Sequence, residues 1–508
     1  MKDIVIILVR CLLLVVVGAT VTVGVAIAQD NSSSNDSGAV PAATAPAEQN
    51  NAENPPLSGL DQPVAEPAFG GRSYLMPGLQ VSESVDSNVA GGSSTNTHMA
   101  EISRVLASMD MQKIWRRYQF GLDYVAGGDF YAGPVIFKNQ GRATQEHTLA
   151  ADQRILWRTG QMTIRDSFDY LPEGTFGFSS YGGAAGFGSA LGGIAGSGAG
   201  TGLGGGISGG SPSGLFGGGQ YGSLGFQPRI DNSAVVDIVQ GLSPRSTVTV
   251  AGGYDFTNYL NKSSAQFPII NSQQTTAQAG YNHLLSRKDQ IGVQYAFQEF
   301  HFPRAGSGSV NAHVWHALYG HRVTGRLNFT IAGGPQLLIV NNPPISLGGL
   351  VVKIPATRSV SGNGSVMFSY TVSSRTNAQV MYQRYVTPGS GFYAGANTDA
   401  VRLTLGHLFG RHWITSTDVG YSHNSNLQSS NSTSASGVHS HSYQFWYAGT
   451  SLQRKFGPHF SAFVSYQFND MGIGSCSGTS TSTPCGLTAT RHTGQIGINW
   501  HPRPIRLD

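Results

Sequence analysis

Two strings in this chain look chemical at first reading. Gly206-Ile207-Ser208-Gly209-Gly210 has the Gly-x-Ser-x-Gly spacing of a nucleophile elbow. Gly200-Thr201-Gly202-Leu203-Gly204-Gly205 has the Gly-x-Gly-x-x-Gly spacing of a dinucleotide turn. Both chemistries need a strand before the glycines and a helix after them, so that the hydroxyl or phosphate sits over helix N–H groups. No such flanks exist here. Nearly every second residue from 182 to 225 is glycine, and such a tract produces both spacings by chance.

The histidines fare similarly. His439 and His441 stand two apart, with His423 across a hairpin, but a metal would require a further ligand. His313, His316 and His321 fall on one strand without sharing a face. No Cys/His, Ser/His/Asp or paired-carboxylate constellation stands out, so no enzyme, no cofactor and no metal site is read.

Two groups remain. Cys476 and Cys485 are nine apart in a Ser/Thr/Gly-rich tract. In an exported chain that loses Cys11 with its leader, these two cysteines remain and predict one disulfide. The other group lies on a hairpin over 144–171 with a turn near 158–161. Placing Ile155 opposite Ile164 on the oily face puts Arg154 opposite Arg165 on the other, with Asp152 and Asp169 beside them. Adjacent arginines need nearby carboxylates or an aqueous lumen. The arrangement predicts a charged stripe that screens permeants and favours anions. It also points Gln153 and Asp166 toward the oily side.

The elements that position these residues are strands. In 273–302, pairing Tyr281 with Tyr295 about a turn at 286–290 puts Ala277, Ala279, Tyr281, Ile291, Val293, Tyr295 and Phe297 on one face. Thr276, Gln278, Asn282, Gln294 and Gln298 take the other. Strands of about ten residues with one oily and one polar face suit a transmembrane barrel. The unit recurs. Val248, Val250, Tyr254 and Phe256 oppose Thr247, Thr249, Asp255 and Thr257; Ile496, Ile498 and Trp500 oppose Arg491, Gln495 and Asn499.

About eighteen such strands fit between 71 and 501, and their connections alternate in length. Short turns fall near 158–161, 243–246, 286–290, 324–326, 373–376, 409–412 and 455–459. Long loops fall between them, the longest being the uncharged glycine-rich loop 174–228, which either enters the lumen as a constriction or stays outside. The long loops belong on the outer surface and the short turns, with both termini, on the periplasmic side. Composition agrees: charged residues are 11%, far below a soluble domain, and glycine numbers 68. A net charge of +4, spread along the chain, excludes a nucleic-acid binder.

Residues 1–28 read as a signal peptide, with an apolar run ending Ala26-Ile27-Ala28 and a cut before Gln29. Residues 29–70 have hardly a large apolar side chain before Leu57 and read as a low-complexity, disordered periplasmic linker open to a periplasmic partner. Residues 502–508 form a C-terminal tail.

The expected fold is therefore all-β: a single antiparallel transmembrane barrel after a signal peptide and linker. In that pattern the chain from 71 to 501 resembles bacterial outer-membrane β-barrel proteins of the porin-like size class. The resemblance implies outer-membrane lipid around the barrel and insertion by the barrel-assembly machinery, which reads a C-terminal aromatic; here Trp500 ends the alternation and the tail follows it. It implies a channel for small solutes. Two other readings remain open: a surface adhesin or scaffold, and the barrel subunit of an envelope export system such as polysaccharide secretion. Oligomeric state is not legible.

Overall fold

The computed structural model describes residues 56–59, 73–89, 99–132, 143–171, 228–260, 270–303, 308–341, 345–347, 350–352, 355–388, 394–427, 442–474 and 488–507. The expected signal peptide, nearly all of the 174–228 loop, and Cys476 and Cys485 lie outside these residues. So do His439 and His441.

The described strands run β1 (Tyr74–Asp86), β2 (Ala100–Ile114), β3 (Tyr118–Ala132), β4 (Ala143–Trp157), β5 (Gly160–Leu171), β6 (Arg229–Ser243) and β7 (Ser246–Tyr259). They continue as β8 (Ser272–Leu284), β9 (Asp289–Phe302), β10 (Gly308–Arg322), β11 (Leu327–Asn341), β12 (Ile345–Leu347), β13 (Leu350–Val352) and β14 (Thr357–Ser373). The last are β15 (Thr376–Thr387), β16 (Ala396–Phe409), β17 (Trp413–Asn426), β18 (Ser442–Phe456), β19 (Phe460–Ile473), β20 (Thr488–Trp500) and β21 (Ile505–Arg506).

Each long strand pairs antiparallel with its neighbours in sequence, and β1 pairs with β20 from Leu79↔Trp500 to Asp86↔Thr493. That pairing closes an eighteen-strand barrel and leaves no open edge. The short β12–β13 hairpin sits in the connection after β11, and β21 adds to the start of β1 at Tyr74 and Leu75. Part of the expected C-terminal tail is thus built into the sheet, and the Leu507 carbonyl accepts from Lys113 Nζ.

Alternation decides the faces. Outward positions include Val401, Leu403, Leu405, Val419, Leu452 and Val464, all exposed. They form an apolar belt bounded by aromatics. On the short-turn side Phe409, Trp413, Phe456, Phe460 and Trp500 are exposed, with the Arg454 guanidinium 5.0 Å above Trp413 and 4.9 Å above Phe456. Nearer the long loops Tyr421 and Trp446 pack at 4.5 Å, and at mid-strand Tyr295 and Trp315 pack at 5.6 Å. An exposed oily band between aromatic girdles is the surface of a barrel in lipid. Polar groups on this face pair with each other, as lipid demands: Tyr295 Oη lies 2.9 Å from His313 Nδ1, and Tyr466 Oη 2.8 Å from His492 Nδ1.

Two registers differ from the expectation. Tyr281 lies opposite Val293, and Tyr295 opposite Ala279. On the 144–171 hairpin Ile155 lies opposite Met162, Arg154 opposite Thr163, and Arg165 opposite Asp152. The β4–β5 turn consists of only Arg158 and Thr159, so each partner moves by two residues. A shift of two keeps every side chain on its face, and the inward and outward assignments stand.

Candidate functional site

The candidate site is the lumen wall. Its inward positions divide it into a charged arc and a neutral one. On β2–β7 they carry Asp110, Asp123, Asp129, Glu146, Asp152, Asp169, Asp231, Asp237 and Asp255, against Arg104, Arg154, Arg165 and Arg229. Carboxylates outnumber guanidiniums there by nine to four. On β8–β11, β14 and β15 only Arg322, at a turn end, is charged; amides take over.

The four residues singled out from sequence all face inward. Arg154 Nε lies 3.7 Å from Asp152 Oδ2, Arg165 faces Asp152 across the β4–β5 pair, and Arg165 also acts electrostatically on Asp237 of β6. Asp169 lies directly opposite Asp231, whose Oδ2 accepts from Arg229 Nε at 2.6 Å. The arginines therefore do not repel each other across a pair: each stands among carboxylates. Gln153 and Asp166 point outward as expected, and the fold provides partners. Gln153 Nε2 donates to the carbonyls of Gln119 and Arg154 at 3.2 and 3.1 Å, and Asn232 Nδ2 donates to Asp166 Oδ1 at 2.9 Å.

Further round, Arg104 Nε meets Asp129 Oδ1 at 3.2 Å, and Arg402 grips Asp418 through both Nε and Nη2. Arg491 holds Asp86 across the closing β20–β1 seam, its Nε at 2.5 Å. Such pairs tie neighbouring strands together where the wall would otherwise bury unmatched charge.

The neutral arc is an amide network. Gln294 Nε2 donates to Gln278 Oε1 at 2.7 Å, Asn363 Nδ2 to Gln336 Oε1 at 2.8 Å, and Gln336 Nε2 to Ser361 Oγ at 2.8 Å. His316, the inward histidine of its strand, sets Nε2 2.9 Å from Asn363 Oδ1. Among the described residues no three His, Cys, Asp or Glu side chains are grouped to hold a metal ion.

Toward the long loops the inner wall turns apolar. Phe300, Phe302, Val310, Ala312, Val314, Leu338 and Val340 are buried together with Ile270 and Ala394 from the loops, and Leu427 packs on them. Gly395 makes that approach possible: its φ is +92°, and a Cβ there would meet Leu427 Cδ1 and Val310 Cγ2, each at 3.3 Å. Sequence reading missed this patch, though the inward positions of β9 announce it by changing from Gln290, Gln294 and Gln298 to Phe300 and Phe302.

A second feature was missed. Pro56, Leu57, Ser58 and Gly59 fall in the expected linker 29–70, yet they lie inside the barrel. Ser58 N donates to Asn282 Oδ1 at 3.1 Å, and Asn282 Nδ2 returns a bond to Ser58 Oγ at 2.6 Å. Thr249 Oγ1 and Gln278 Nε2 donate to the Ser58 carbonyl at 3.2 and 2.9 Å. Leu57 packs with Leu318 and Ala332. For these four residues the linker expectation is corrected: amide and hydroxyl side chains of the wall satisfy a backbone that would otherwise remain in water. The available signal was Leu57 itself, the first large apolar residue after a long polar stretch.

No protein-family model matches the chain, and no curated protein matches it. Solved structures that resemble it include the outer membrane protein OpdK from Pseudomonas aeruginosa, 10% identical, covering 84% of this chain and 98% of that one at a TM-score of 0.37. OccAB3 of Acinetobacter baumannii is 9% identical, with 84% and 99% covered and a TM-score of 0.37. OccK5 (OpdH) of P. aeruginosa is 11% identical, with 87% and 100% covered and a TM-score of 0.37.

Proposed function

We propose that the chain is an outer-membrane channel for small polar solutes, placed in the membrane by the barrel-assembly machinery. One observation carries this reading: a closed ring of eighteen strands with an oily outside and an inner wall of carboxylates, guanidiniums and amides. Lipid on the outside and water on the inside account for both faces at once, and a ring of this size encloses more space than its own side chains fill. No catalytic group enters the reading.

The sign of selectivity follows from the wall. The arginine stripe alone argued for anions; set among nine carboxylates it argues for cations, or for solutes bearing an amine beside other polar groups. Purified, refolded protein in a planar bilayer is expected to give discrete conductance steps, with a reversal potential favouring cations under a salt gradient. A folded barrel without conductance would sink the channel and promote the adhesin or scaffold reading.

A further inference from the structure

We propose that the chain's own segment Pro56-Leu57-Ser58-Gly59 is a tethered occupant of the lumen, seated in a built site on the wall and narrowing the channel. The inference rests on the channel reading above and adds to it a constriction formed by these four residues.

The site has three parts. Asn282, Gln278 and Thr249 form a polar clamp that engages the amide, carbonyl and hydroxyl of Ser58, whose Oγ lies 2.5 Å from Thr249 Oγ1. Leu318 and Ala332 form an apolar shelf under Leu57. Two inward glycines provide the space. A Cβ at Gly280 would stand 2.4 Å from Ser58 Cβ and Oγ, and one at Gly320 would stand 2.9 Å from Leu57 Cδ2. Glycine inside a strand weakens it and marks a place where another backbone comes close; here both glycines face the same four residues. Gly59 N closes the segment with a 3.1 Å bond to the Pro56 carbonyl.

The placement gives the seat its consequence. Thr249, Asn282 and Gly320 lie close to the short-turn ends of β7, β8 and β10, on the far side of the ring from β1, where the barrel begins. The segment therefore occupies the lumen near its short-turn mouth, held by a wall that its own strand does not touch. Strands about 4.8 Å apart and tilted about 40° put an eighteen-strand ring about 36 Å across, leaving a bore of about 25 Å inside the side chains. A segment about 10 Å wide and as thick takes about a fifth of that cross-section.

Two measurements test this together. First, Ser58→Cys with Thr249→Cys, in a background of Cys11→Ser, Cys476→Ser and Cys485→Ser, is expected to form a disulfide on mild oxidation of the folded protein, seen by protected thiols and a gel shift. Second, deletion of residues 56–59 is expected to raise single-channel conductance about 1.2-fold or more. Gly280→Val, which fills the seat from the wall side, is expected to do the same with the segment still present. A folded barrel that forms no disulfide overturns the placement. A disulfide with conductance indifferent to both the deletion and Gly280→Val overturns the constriction alone. Absence of conductance from every folded variant overturns the channel reading and the constriction with it, while the disulfide still reports where the segment sits.

Discussion

Replacing Arg154 and Arg165 with glutamine removes two of four guanidiniums from an arc that holds nine inward carboxylates. The size of the effect can be worked from the wall. An ion passing about 8 Å from each guanidinium in water gains or loses about 0.5 kcal/mol per charge. At about 0.01 M salt, where the screening length is about 30 Å, about 0.4 kcal/mol of that survives. Two charges removed thus favour a cation by about 0.8 kcal/mol and disfavour an anion equally, moving the permeability ratio toward cations about fifteenfold. At about 0.1 M the same sum gives about fivefold, and at about 1 M almost nothing. The assay is the reversal potential across a planar bilayer under a fixed gradient, repeated at several ionic strengths. Heat-modifiable migration on unheated gels verifies that the barrel is folded. The companion change, Asp152→Asn with Asp237→Asn, should move the ratio the other way. Conductance with a selectivity indifferent to both double variants at low salt would refute the assignment of this arc to the conducting path.

The remaining predictions concern stability. Arg402 and Asp418 each keep only 10% of the side chain exposed, so Arg402→Ala leaves a buried carboxylate without its partner. The expected loss is about 3–5 kcal/mol, read as a lower urea midpoint in detergent, whereas replacing both residues together with Met and Leu should cost far less. Cys476 and Cys485, outside the described residues, are expected to be joined in the exported protein, adding about 2–3 kcal/mol because the loop they close is short. Alkylation of unreduced, denatured protein should find neither thiol; labelling of both would contradict the pairing.

Much of the barrel was written along single strands. Alternation of the kind seen in Val248-Thr249-Val250 fixes which side chain meets lipid, since side chains along a strand alternate with a period of two and lipid admits no unmatched backbone. Turn and loop lengths fix the direction of travel. For these reasons the strand count and the alternation of short and long connections could be read from the sequence, and the same alternation gives Asp152, Arg154, Arg165 and Asp169 one common face.

What the sequence could not decide is who stands beside whom. Register across the β4–β5 turn depends on whether two or four residues make the corner, and both choices preserve the same oily face; only the folded hairpin sets Arg165 against Asp152 rather than Arg154. Asp86 and Arg491 are 405 residues apart and meet because the ring closes. The seat of Ser58 draws on β7 and β8, and that of Leu57 on β10 and β11; no local pattern in a Pro- and Ala-rich stretch announces a partner two hundred residues away. Faces are a property of one strand and its solvent, and so are legible in order along the chain. Neighbours are a property of closure, which joins distant residues only once the whole ring exists.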